Sequence, residues 1–144
     1  MICEKEIITA INRELAQKFP NIERNSKDIE EGFLRPSFFV ESDNENYGKI
    51  GQSYADDSLT IRIYYFPSDP KNNRLENMEI KSELIRLFRF SINIDDNFVI
   101  PVDDITSTIA DKVLIVSFDL IMVQDIEADN QEIPLMEDLD FTIN

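Results

Sequence analysis

The stretch EGFLRPSFFV, residues 31–40, places a proline directly ahead of two adjacent aromatic residues. Pro36 fixes its own φ at about −65° and has no amide hydrogen to give. It also drives Arg35 out of the helical region into an extended or turn conformation. The chain must therefore bend at Arg35-Pro36 and leave the bend as a strand. Alternation then puts Phe38 and Val40 on one face of that strand and Phe39 on the other. Gly32 allows a close backbone approach just before the corner. A chain built around this corner needs a sheet to receive the rings.

The remaining pattern supplies that sheet and its cover. Ile7, Ile8, Ile11 and Leu15 recur at helical spacing, with Phe19 one turn on, which predicts a helix over residues 4–19 ended by Pro20. A short strand through Ile22 is expected next, and then the strand over 36–42. Residues 43–57 are polar and carry Gly48 and Gly51; Tyr47, Ile50 and Tyr54 suggest that they are partly extended. Leu59, Ile61, Ile63 and Tyr65 alternate with Thr60, Arg62, Tyr64 and Phe66, a strand over 58–66. Pro67-Ser68-Asp69-Pro70 breaks it. A second helix is predicted over 72–90, with Leu75, Met78, Ile80, Leu84, Leu87 and Phe88 as its apolar stripe. A turn at 95–97, a strand over 98–102, a turn or bulge at Asp103-Asp104 and a strand over 105–110 follow. A loop at Asp111-Lys112 leads to the longest strand, 113–124, with Leu114, Val116, Phe118, Leu120 and Met122 facing the core. Helix, strands, helix, strands is the order of an α+β fold: a mainly antiparallel sheet packed against two helices. Residues 1–126 form that domain, and 127–144 an acidic extension or arm.

Composition removes most catalytic chemistry. The chain has 144 residues and no histidine, so it has no Ser-His or Cys-His dyad and lacks the commonest general base and zinc ligand. Its three glycines, at 32, 48 and 51, cannot make a phosphate-cradling loop. Cys3 is the single cysteine, with no partner for a disulfide and no histidine to activate it. The pairs Asp56-Asp57, Asp95-Asp96 and Asp103-Asp104 match no calcium-loop spacing and read as solvated turns. No cofactor and no metal are expected. Neither a signal peptide nor a membrane span is visible, so synthesis in the cytosol is expected.

The net charge is −15. Such a surface repels phosphate, which argues against direct nucleic-acid binding. No Lys or Arg follows Lys112, whereas acids continue to Asp140. The segment 127–144 is too sparse in apolar residues to build a core. It reads either as a mimic of DNA charge or as an arm that orders on a partner. Leu135, Met136, Leu139 and Phe141, near helical spacing, favour the arm. Three further features carry two readings each. Arg35 pairs with a carboxylate or ring across a subunit interface, or with an internal acid where the strand begins. The aromatic run Tyr64, Tyr65 and Phe66 is core or an edge that meets a subunit; core is favoured. Arg62 marks the outward or interfacial face of its strand.

The block Gly32-Phe33-x-Arg35-Pro36-Ser37-Phe38-Phe39 resembles that of tail terminator proteins from contractile and long-tailed phages and from phage-derived bacteriocins of Gram-positive bacteria. The N-terminal helix KEIITAINRELAQKFP, the strand LTIRIYYFP and the late strand VLIVSFDLIMVQ are similar to the same family, so the resemblance spans residues 1 to about 126. It implies a non-enzymatic structural protein that closes as a homo-oligomer, a ring of typically six subunits, on the last ring of the tail tube. Its implied partners are the tube protein, the sheath protein where the tail is contractile, and a neck or collar protein. Its implied location is the host cytoplasm during assembly and then the head-proximal end of the tail. Acidic residues facing a ring lumen would keep passing DNA from sticking. A head-completion or neck adaptor is the alternative; an acidic DNA-mimic inhibitor is a more distant one.

Overall fold

The computed structural model describes residues 3–25, 35–50, 54–95 and 98–125. Their order is α1 (Glu4–Lys18), β1 (Glu23–Asn25), β2 (Ser37–Ile50), β3 (Tyr54–Phe66), α2 (Arg74–Phe88), β4 (Ser91–Asp95), β5 (Phe98–Ala110) and β6 (Val113–Asp125). The six strands form one sheet in the order β1-β2-β3-β6-β5-β4. Only the β1–β2 pair is parallel; the others are antiparallel. The fold is α+β, as the order of elements predicts.

Both helices lie on one face of the sheet. Ile7, Ala10, Ile11 and Leu15 make the buried side of α1. Its start is capped by the Cys3 amide donating to Glu6 Oε1 at 2.9 Å, and its end by the Phe19 amide donating to Leu15 O at 2.8 Å. Beneath the helices, Phe38, Leu59, Ile61, Ile63, Tyr65, Leu114, Val116, Phe118 and Leu120 are almost fully buried. These are the alternate positions of β2, β3 and β6 that sequence periodicity assigns to the core. Each buried aliphatic side chain contributes about 1.5–3 kcal/mol relative to exposure. Phe88 of α2 meets Phe118 with ring centroids 5.6 Å apart.

Several elements depart from the expectation. Residues 43–57 are strand wherever they are described, because β2 runs on to Ile50 and β3 begins at Tyr54. Ladder hydrogen bonds between two paired strands do not require apolar side chains. A register shift between Asp43 and Asn46 marks where the hairpin leaves the core. Residues 98–110 are one strand, not two. Residues 98–101 pair with β4 and residues from Val102 on pair with β6; the bulge lies within the β6 ladder, between Asp103 and Thr106, with Asp104 at φ 49°. Residues 91–95 form an edge strand, β4, that periodicity did not reveal. Ile92 and Ile94 are its only apolar residues, too few to establish a period, and both are buried.

The predicted stripe of α2 is also corrected. Leu84 and Phe88 are buried and Ile80 and Leu87 pack on the core, but Leu75 is 72% and Met78 46% exposed. At that end of α2 the inward position belongs to Asn77, 1% exposed, whose Nδ2 donates to Lys112 O at 3.2 Å. The first turns of the helix therefore rest on the β5–β6 turn, leaving Leu75 and Met78 outside.

Candidate assembly surface

The proline corner is fastened from both sides. The Arg35-Pro36 peptide is cis. The exposed Arg35 donates from Nη1 to Pro67 O at 2.9 Å, which ties the start of β2 to the loop that leaves β3. The Glu23 amide donates to Pro36 O at 3.3 Å and holds β1 alongside. Ser37 is fully buried. Phe38 sits between Phe19 and Tyr65, at 5.1 and 5.2 Å between centroids. Phe39, on the opposite face, meets Tyr64 at 5.9 Å. Gly32 and Phe33 lie outside the described residues.

The face of the sheet away from the helices carries Arg62. Its Nη1 lies 2.8 Å from Asp43 Oδ2 and 3.8 Å from Glu41 Oε2. Tyr64 donates its hydroxyl to Glu41 Oε2 at 2.8 Å, and Thr60 donates to Asp119 Oδ1 at 2.8 Å. The hydrogen bond to Asp43, opposed by burial, holds Arg62 charged beyond its usual range. Burial, helped by the Glu41 carboxylate, pushes the Tyr64 phenol up. Tyr64 and Phe66 stack nearly parallel at the end of this face, 6.5 Å apart. The side chains of this face are thus ordered by their own pairs.

A second surface lies where α2 meets the β5–β6 turn. Asp111 and Lys112 both have positive φ, 53° and 65°, as a two-residue hairpin turn requires. Lys112 Nζ reaches back to Lys71 O at 3.0 Å. Between the turn and the helix runs an open groove of about 540 Å³ with Leu75 and Ile109 along it and Lys71, Arg74 and Lys112 beside them. Nothing in sequence periodicity marks it, because its residues come from a helix, a strand and two turns.

The other expectations distribute as follows. Arg35 and Arg62 sit at different levels of the sheet and are not brought together. Leu135, Met136, Leu139 and Phe141 lie outside the described residues. Asp57 is not in a solvated turn; it is 4% exposed within β3. Asp103 and Asp104 belong to the bulge of β5. Among the described residues no cluster of three or more acidic or thiol groups is placed to hold a metal ion. No helix among them is long and apolar enough to cross a membrane.

The described residues thus form one sheet with helices on one face and paired charges on the other. The chain matches the family model described as phage tail terminator protein over residues 6–132, and it belongs to that family. It is therefore a structural phage tail protein, a component of a virion or tail particle, in a family not known for enzymes. No curated protein matches the chain.

Proposed function

We propose that the chain caps the tail tube. It binds the last tube ring, ends tube growth and leaves a surface to which a neck or collar joins. Family membership over residues 6–132 carries this reading. Termination on this account is geometric: one surface of the protein matches the tube and the other offers no further tube site. Copies close head to tail into a ring, six in number, which fits a tube end without leaving an open growing contact. Where the tail is contractile, the same ring anchors the last sheath ring. The open sheet face around Arg62 suits such contacts because its side chains are already ordered, which lowers the entropic cost of binding.

The test is to polymerise the tube protein with and without this protein. Tube length is read by electron microscopy and the mass of the complex by sedimentation. Shorter tubes carrying protein at one end only are expected. Tubes of unchanged length with no end-bound protein defeat the reading. Binding to a head connector in place of tubes moves the chain to the neck-adaptor class.

A further inference from the structure

One edge of β5 is bare over half its length. Residues 98–101 pair with β4, and the Val102 amide donates to Phe90 O at 3.0 Å. Beyond that point, among the described residues, β5 is paired on its β6 side alone. Thr106, Ser107, Thr108, Ile109 and Ala110 are exposed. Asp111-Lys112 is a two-residue turn, so Ala110 and Val113 form a hydrogen-bonded pair. Bonded and non-bonded pairs then alternate down the ladder. Thr106 and Thr108 bond to β6, and the amides and carbonyls of Ser107 and Ile109 point away from it. The Ser107 and Ile109 side chains share the helix-side face of their partners Val116 and Leu114. The groove beside Leu75 leaves open space there.

The other described edges of the sheet carry protection that this one lacks. Arg13 Nη2 takes the Asn93 and Ile94 carbonyls of β4. β1 is three residues long and carries Glu23 and Arg24. Thr106 to Ala110 holds no charge and no proline, and Thr106, Thr108 and Ile109 are β-branched. An exposed edge of that composition is a template for an added strand. The chain supplies a segment of matching pattern. Leu135, Met136 and Leu139 are near helical spacing, but in Leu139-Asp140-Phe141-Thr142-Ile143 apolar and polar residues alternate, the period of a strand. We propose that residues 139–143 add to the β5 edge of their own chain, beside Ile105 to Ile109. Leu139, Phe141 and Ile143 then lie on the helix side against Ile109 and Leu75, and Asp140 and Thr142 on the face of Thr106 and Thr108. Main-chain bonds and apolar cover select the segment; charge does not.

Reach permits the same chain. Asp103 lies opposite Asp119 and Thr106 opposite Ser117, so Ile105 is level with Phe118. From Asp125 back to that level is seven residues of β6, about 23 Å. Crossing β5 to its free edge adds two strand spacings, about 10 Å. The connection, residues 126–138, spans up to about 43 Å, so Leu139 arrives with slack. The strand then climbs toward the β5–β6 turn, parallel to β5. A tether of this length holds the segment near the edge at about millimolar effective concentration, far above that of a second copy in dilute solution.

This pairing does not rest on tube capping and is tested on the purified full-length protein alone, by amide hydrogen exchange read in nuclear magnetic resonance spectra. The parent is compared with a variant carrying Leu139→Asp and Phe141→Asp. The Ser107 and Ile109 amides should exchange at least about tenfold more slowly in the parent than in the double variant. The Thr108 amide, bonded to β6, should be slow in both, which shows that β5 stays folded. Protection of Ser107 and Ile109 should be the same in dilute and concentrated samples, and Leu135→Asp, outside the added strand, should leave it intact. Equal exchange of the two amides in the parent and the double variant overturns the proposal. So does protection that grows with protein concentration, because a second copy then covers the edge. Tube length plays no part in this measurement, so its failure leaves the capping reading untouched.

Discussion

The Tyr65 hydroxyl donates to Glu76 Oε2 at 2.5 Å, joining the core face of β3 to the first turn of α2. The same oxygen accepts from the Ser68 amide at 2.8 Å and the Ser68 hydroxyl at 3.1 Å. A carboxylate in the first turn also suits the positive end of the helix dipole. One acid thereby orients the strand, the proline turn and the helix. Tyr65→Phe keeps the ring and removes one donor to a charged group. A loss of about 1.5–3 kcal/mol at neutral pH is expected from urea unfolding. An unchanged midpoint would show that the contact is marginal.

Acid sensitivity follows from the same residue. Burial alone would raise the Glu76 pKa, but the bonds from the Ser68 amide, Tyr65, the Ser68 hydroxyl and the Asp69 amide outweigh it, and the net direction is down from 4.5. The folded form therefore holds its proton less tightly than the unfolded form. The resulting stability is fully present above 4.5 and is lost as pH falls through the lowered folded value. Asp69, held down by the amides of Lys71 and Asn72, acts with the same sign. Glu76→Gln should cost stability at neutral pH, and its deficit relative to the parent should shrink as pH drops below about 4.5. A deficit independent of pH between neutrality and acid would reject this linkage.

Phe38 and Phe39 test the two faces of one strand. Phe38 is fully buried between Phe19 and Tyr65, whereas Phe39 is half-buried on the outer face. Phe38→Ala should cost about 3–5 kcal/mol through the cavity it leaves. Phe39→Ala should cost clearly less in the isolated protein. Equal losses in thermal or urea unfolding would contradict the burial pattern.

What could be read from the sequence divides along the same line. The core strands were legible because their burial is one-sided and strictly alternating: Leu59 to Tyr65 and Leu114 to Met122 announce both period and face. The corner at Pro36 was legible because proline geometry is local. Three things were not. β4 is too short for a period, and the exposed Arg13 donates to its Asn93 and Ile94 carbonyls from a helix some 80 residues earlier in the chain. The polar reach of β2 and β3 showed only as partial extension, at Tyr47, Ile50 and Tyr54, because ladder bonds hold it without a side-chain alternation to read. The face of α2 was misjudged at Leu75 and Met78 because an asparagine, Asn77, takes the inward position through a hydrogen bond that only the tertiary structure creates. Arg62 was legible as an outward residue, but its pairing with Asp43 and Glu41 depends on the β2–β3 register.

Arg62 offers a test that separates fold from assembly. Its pairs with Asp43 and Glu41 are partly exposed, with side-chain accessibilities of 28%, 54% and 38%. Such pairs contribute about 0–1 kcal/mol and weaken with salt. Arg62→Leu should lower stability by less than about 1 kcal/mol at low ionic strength, with the difference from the parent narrowing in high salt. A large, salt-independent loss would mean that packing of the arginine stem, not charge, governs the site. If the face contacts the tube, the same variant should lose end-capping activity far beyond its loss of stability.

Lys112 tests the geometry of the β5–β6 turn. It sits at φ 65°, where a non-glycine residue costs about 1–2 kcal/mol. Its side chain offsets part of this with the exposed bond from Nζ to Lys71 O, a contact of about 0.5–1.5 kcal/mol at most. The bond from Asn77 Nδ2 goes to the Lys112 carbonyl, so any residue at this position preserves it. Lys112→Gly relieves the backbone and loses the side-chain bond, and it should be neutral or stabilising by up to about 1 kcal/mol. Lys112→Val keeps the strain and adds a β-branch, so it should destabilise by more than about 1 kcal/mol. Urea unfolding of the pair checks the order.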